Sequence, residues 1–121
     1  MLSLSQYHQM FTDHLEKYTV NAVPKNLYDP VNYILNLEGK RIRPILTLVS
    51  TDIFSGSAKK ALNAALAGEV FHAFSLVHDD IMDSADLRRG NITVHKKWDS
   101  SIAILSGDVM LILAYQIFEN Y

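Results

Sequence analysis

The chain has 121 residues, 49% of them hydrophobic, which is enough for one core and hence one domain. A formal charge of −2 gives no global attraction to nucleic acid or anionic membrane, so any anion must be gathered by local basic clusters. With no cysteine there can be no disulfide or thiolate metal site, and a reducing cytoplasm is the simplest compartment.

Hydrophobic spacing predicts helices joined by short loops, with no internal repeat and no flexible linker. Leu4, Tyr7, Phe11, Leu15 and Tyr18 recur at three- and four-residue steps and predict a first amphipathic helix, ended by residues 21–26 with Pro24. Asp29 as N-cap and Pro30 at the first helical position predict a second helix through Val31, Ile34, Leu35 and Glu38, closed by Gly39. Arg43-Pro44 opens a third through Ile45, Leu48, Val49 and Ile53, and Ser55-Gly56-Ser57 closes it. A fourth runs from about Ala58 to about Asp83, burying Ala61, Leu62, Ala65, Leu66, Val70 and Ala73. Residues 84–93, with Gly90, read as a loop, and a last helix occupies about Asp99 to Tyr121. No run alternates with period two between turn signals, so strands are not expected. The class is all-α.

The N-terminus lacks a basic region followed by an apolar stretch, so it is not a signal peptide. The apolar stretch from Ile102 to Tyr115 is interrupted by Ser106, Gly107 and Asp108 and is shorter than the roughly 20 residues of a membrane span. It predicts a buried or interface helix. The chain ends at Phe118-Glu119-Asn120-Tyr121 without a stop signal, which reads as an open end.

The strongest chemical signal is His78-Asp79-Asp80-Ile81-Met82-Asp83, followed by Leu87-Arg88-Arg89-Gly90. Asp79 and Asp83 stand one helical turn apart, about 6 Å along the axis, where like charges repel unless a cation lies between them. A hard divalent ion fits: Mg²⁺ takes one or two carboxylates, keeps some waters and completes its shell from phosphate. Asp80 points about 100° away and suits an indirect role, orienting ligands or waters. A solvated acidic helix end is the plain alternative. Acids are disfavoured at a helix C-terminus, however, and the neighbouring arginines and the apolar run Phe71 to Val77 fit a cleft better.

Two turns before Asp79 sits His72, on one stripe with Leu76, Asp79 and Asp83 and roughly 10 Å below the metal position. A core histidine paired with a carbonyl is the ordinary alternative; its register favours a donor to a second anion. Gly39-Lys40-Arg41-Ile42-Arg43-Pro44 ends at a helix N-terminus, where free N–H groups, the dipole and fixed charges together attract phosphate. As a nucleic-acid or nuclear-localisation patch, three charges beside an apolar helix are weak. Cations thus fall in two clusters around one acidic centre, a layout suited to two diphosphates, one bridged by metal and one held by cations alone.

In order and spacing, Gly39-Lys40-Arg41-Ile42-Arg43-Pro44, His72, Asp79-Asp80-Ile81-Met82-Asp83 and Arg88-Arg89-Gly90 resemble the trans-isoprenyl diphosphate synthase (polyprenyl synthase) family. The resemblance covers essentially the whole chain but only the first third to half of a family member. It implies the N-terminal helices of an isoprenoid synthase helical bundle over residues 1–121, commonly a homodimer, here through the final helix. It also implies a prenyltransferase that joins an allylic diphosphate to isopentenyl diphosphate. By resemblance, Asp79 and Asp83 hold Mg²⁺, Arg88 binds the allylic diphosphate, and Lys40, Arg43, His72 and Arg89 bind the diphosphate of isopentenyl diphosphate. Arg41 lies between two such positions and is given no role.

The implied reaction is ionisation of the allylic C–O bond with metal and Arg88 stabilising the leaving diphosphate, attack by the second substrate's double bond, and loss of a proton. The resemblance also implies that Phe71, Phe74 and Ser75 set chain length, with the bulk of Phe74 pointing to a C15–C20 product. The family's second aspartate-rich motif and later lysines are absent, so the fragment is expected to be inactive alone. Two other readings compete. A non-catalytic regulatory subunit of a full-length synthase has no need of Asp79, Asp83 and Arg88 together. A terpene cyclase has no second diphosphate for Lys40, Arg43 and His72 to hold.

Overall fold

Ser3 starts the first helix with a reciprocal cap: its Oγ accepts from the Gln6 backbone N–H at 3.2 Å, and Gln6 Oε1 accepts from the Ser3 N–H at 2.8 Å. In the computed structural model, which describes residues 1–119 and 121, helix α1 spans Leu4–Lys17 and buries Tyr7, Phe11 and Leu15 at four-residue steps. Tyr7 donates its hydroxyl to Asp52 Oδ2 at 2.5 Å, tying α1 to the third helix and raising the Tyr7 pKa. Leu4, expected on the core stripe, stands exposed in the first turn.

Helix α2 spans Lys25–Leu35 and starts a turn earlier than the Asp29-Pro30 signal predicts, with Pro24 as its N-cap. Pro30 is therefore an interior residue and forfeits one ladder hydrogen bond, offset by burial of Pro30, Val31, Ile34 and Leu35 on the core face. The helix ends at Leu35 with Asn36 as its cap, four residues short of the expected glycine. Helix α3, Ile42–Ser55, closes as expected at Gly56, which takes φ 73° and donates its N–H to Asp52 O at 2.9 Å.

A 3₁₀ turn over Ala58–Ala61 precedes α4, Leu62–Met82, so the fourth predicted helix divides in two. Helix α4 is the central element and packs on α1, α2 and α3. Ala65, Leu66, Val70, Ala73 and Val77 are buried along it.

The segment after α4 is not a plain loop. Leu87–Arg88 (β1) and Asn91–Ile92 (β2) pair antiparallel, Arg88 opposite Asn91. Arg89 and Gly90 between them take φ 52° and 78°, the positive pair of a two-residue hairpin turn. The glycine signalled a turn, but four strand residues are too few to show alternation. One turn of helix, α5 (Val94–Lys97), leads to Asp99, whose carboxylate caps α6 (Ser100–Phe118) by accepting from Ile102 N–H at 2.7 Å.

The last helix was expected to reach Tyr121; it ends at Phe118, and Asn120 lies outside the described residues. At 19 residues α6 is long and apolar enough to cross a membrane, so length does not separate the two readings as the sequence suggested. Packing does. Ala103, Gly107, Met110, Ala114 and Ile117 are buried, and α6 meets α4 along its length and α2 near its start. The supposed interruptions are contacts: Ser106 Oγ donates to Leu27 O at 2.7 Å, and Gly107 admits the His78 ring, whose Nε2 would lie 2.3 Å from any Cβ placed there.

Candidate functional site

The C-terminal turn of α4 presents Asp79 and Asp83 to solvent, while Asp80 is buried. Asp80 was expected to steer ligands or waters; it steers an arginine. Arg88 donates Nε to Asp80 Oδ2 at 2.8 Å and Nη2 to Oδ1 at 2.9 Å. The Asp80 bond, with help from the nearby Asp79 charge and against burial, raises the Arg88 pKa. No ion pair among the described residues involves Asp79 or Asp83. Two exposed carboxylates one turn apart suit an ion that draws its other ligands from phosphate and water. Among the described residues no three His, Asp or Glu side chains stand together as a complete metal cage.

Four of the predicted anion-binding residues converge. Lys40, Arg43, His72 and Arg89 line one open cavity of about 640 Å³ between the α2–α3 turn and α4. Within it the Nε2 of His72 is taken up by Arg43. That nitrogen lies 3.1 Å from Arg43 Nη1, and since a guanidinium can only donate, the imidazole accepts. Burial first, then the Arg43 charge, lowers the His72 pKa. His72 therefore sets the direction of Arg43.

The hairpin divides the two arginines between the clusters. Arg88 in β1 goes to Asp80; Arg89, at the turn, reaches across and donates Nη1 to Glu38 O at 3.1 Å. Its guanidinium lies against Gly39, where an added Cβ would come within 2.2 Å of Nη1. Gly39 is thus a close-approach glycine and not a helix cap. The hairpin base is held by Thr93 Oγ1, which donates to Ala85 O at 2.8 Å, by His95 Nε2 on the same carbonyl at 2.7 Å, and by Tyr33, whose hydroxyl donates to Ile92 O at 2.6 Å. A small gap lined by His72, Ala73, Leu76, Arg88 and Arg89 lies between the two cationic groups.

The expected chain-length residues lie along α4. Phe71 and Phe74 meet edge to face at 5.5 Å, Phe74 meets the His78 ring at 5.0 Å, and Ser75 Oγ donates to His72 O at 2.6 Å. Phe71 is about half exposed and faces an apolar groove against Ala114, Tyr115 and Phe118 of α6.

Sequence reasoning missed the partners behind these groups. Glu69, buried, pairs with Arg41 at 3.2 Å, and His78 Nε2 donates to Ile104 O at 3.1 Å, joining α4 to α6. The first had a signal: a carboxylate four residues after buried Ala65 and four before buried Ala73 demands a cation.

The sequence profile of the family described as polyprenyl synthetase matches residues 24–121. The geranylgeranyl diphosphate synthase of Sulfolobus acidocaldarius is 43% identical over 108 residues, covering 89% of this chain and 32% of the relative. The farnesyl diphosphate synthase of Micrococcus luteus is also 43% identical, over 88% of this chain and 36% of the relative. A crystal structure of a geranylgeranyl pyrophosphate synthase superposes with a TM-score of 0.96 at 55% identity, over all of this chain and 37% of the other. The geranylgeranyl pyrophosphate synthetase of the archaeon Geoglobus acetivorans gives 0.90 at 36% identity, over 96% and 38%. The chain spans about a third of the length of the curated relatives it matches.

Proposed function

This chain belongs to the polyprenyl synthetase family, and on that premise we propose that it forms the N-terminal part of the active site of a short-chain prenyl diphosphate synthase. The reaction, which belongs to the whole synthase, joins an allylic diphosphate to isopentenyl diphosphate. The observation that carries this proposal is the separation of cations: Lys40, Arg43 and Arg89, with His72 against Arg43, on one cavity, and Arg88 with the carboxylates beyond it.

Asp79 and Asp83 would hold Mg²⁺ on the allylic diphosphate, with Asp80 acting behind them through Arg88. The bound ion supplies charge neutralisation for a departing diphosphate. Arg88, fixed by Asp80, stabilises the negative charge that grows on that diphosphate as the allylic C–O bond breaks. Lys40, Arg43 and Arg89, with His72 behind Arg43, hold the second diphosphate so that its double bond can attack the allylic cation. The attack leaves a tertiary cation, and the proton lost from the carbon beside it, as the new double bond forms, passes to the released diphosphate. Phe74 and Phe71, with small Ser75, line the path of the growing chain and limit it to C15–C20.

Ile104, Leu105, Ile112, Tyr115 and Phe118 are exposed on α6 and support self-association there as a homodimer. The cytoplasm remains the compartment we assign. The cationic cavity weighs against a terpene cyclase, and the outward carboxylate pair weighs against a purely regulatory subunit.

The test is incubation of the full-length enzyme with Mg²⁺, geranyl diphosphate and labelled isopentenyl diphosphate, then chromatography of the dephosphorylated products. A labelled prenyl alcohol longer by five carbons or a multiple of five is expected. Absence of any lengthened product contradicts the assignment.

A further inference from the structure

The cavity assigned to the second diphosphate has an acid in its wall. Glu69 lines it and is only 7% exposed, so its charge faces any anion across little water. Arg41 meets it. Its Nη1 donates to Glu69 Oε2 at 3.2 Å, and its Nη2 donates to the carbonyls of Leu35 at 3.1 Å and Leu37 at 2.8 Å. Arg41 reaches these partners from a left-handed backbone, φ 56°, at the N-cap of α3. This is a costly conformation for an arginine, and it is retained where the surroundings over-determine it. Lys40 and Arg43 on either side remain exposed on the cavity wall.

Building on the function proposed above, we infer that Arg41 is a positioning residue of the second diphosphate site: it neutralises Glu69 and ties the Lys40–Arg43 segment to the end of α2, without binding the ligand itself. Three of the five N–H donors of Arg41, including both on Nη2, are already committed to a carboxylate and two carbonyls. Without it, Glu69 would stand unpaired beside the bound anion.

A double-mutant cycle separates this from direct binding. The whole chain is titrated with inorganic diphosphate in the absence of divalent metal, with helicity checked by circular dichroism for each variant. The wild type binds. Arg41→Gln weakens binding about tenfold, as does Arg43→Gln. Adding Glu69→Gln restores the Arg41→Gln variant to within about threefold of wild type and leaves Arg43→Gln weak. A double variant as weak as Arg41→Gln makes Arg41 a direct ligand and overturns the inference, as does an Arg41→Gln variant that binds like wild type. If Arg41→Gln does not fold, the Arg41→Gln/Glu69→Gln variant decides alone: near-wild-type affinity supports the inference, and a tenfold loss overturns it. Failure of the wild type to bind removes the diphosphate site itself and the inference with it, an outcome distinct from failure of rescue.

Discussion

Arg88 grips Asp80 at both ends, Nε to Oδ2 and Nη2 to Oδ1, at 2.8 and 2.9 Å. The pair explains how three acids can crowd the C-terminus of α4, where the helix dipole disfavours them. One is neutralised inside, and the two that remain outside are one turn apart. The same contact anchors the hairpin that carries Arg89 to the other cavity.

Asp80→Asn should therefore destabilise the fold by about 2 kcal/mol, because a partly buried guanidinium loses its charged partner. Asp79→Asn should change stability by less than about 0.5 kcal/mol, since that side chain is exposed and its removal relieves repulsion. Urea unfolding of the two variants checks the contrast.

His72 sets a pH dependence. Burial and Arg43 depress its folded pKa below the usual 6.5, so the folded chain binds fewer protons than the unfolded chain as pH falls through and below about 6.5. Its contribution to stability is present above that value and declines below it. The urea midpoint should fall on acidification in this window, and the slope should flatten in His72→Gln. Identical slopes would count against the Arg43–His72 geometry.

Two glycines in the long helices should respond in opposite directions to alanine. Gly107→Ala places a methyl about where His78 Nε2 lies and breaks its bond to Ile104 O, a loss of about 1–3 kcal/mol. Gly68 has nothing within 4 Å of the added carbon, and alanine there should gain about 0.5–1 kcal/mol from helix propensity. Thermal melts of both variants test the α4–α6 contact.

Phe74→Ala in the full-length enzyme should lengthen the product, because the ring that packs on His78 and Phe71 is replaced by open space. Chromatography of the dephosphorylated prenyl alcohols reads this directly. An unchanged distribution removes Phe74 from the chain-length role.

Strong local signals in the sequence carried much of the fold. The start of α6 after Asp99, the Gly56 stop and the buried face of α4 stand where spacing placed them. The misses came where tertiary contacts overrode local preference. Pro30 lies inside α2 because its ring is buried, and Gly39 is small to admit Arg89. The hairpin was hidden because Arg89 takes a backbone usually left to glycine or asparagine. At the site, residue types and order announced the cations, and the cavity gathers four of them. The sequence could not show which groups bind a ligand and which hold another side chain. His72, Asp80 and Arg41 each turn toward a protein partner across a span of 8 to 29 residues.

The central claim is that two diphosphates bind here, one through carboxylate-held magnesium and one through cations alone. Calorimetric titration of the chain with inorganic diphosphate, with and without Mg²⁺, tests it most directly. We expect one site without the ion and a second when it is added, the second lost in Asp79→Asn/Asp83→Asn and the first lost in Lys40→Gln/Arg43→Gln. A stoichiometry that ignores Mg²⁺, or a magnesium-dependent site that survives loss of both carboxylates, would contradict it.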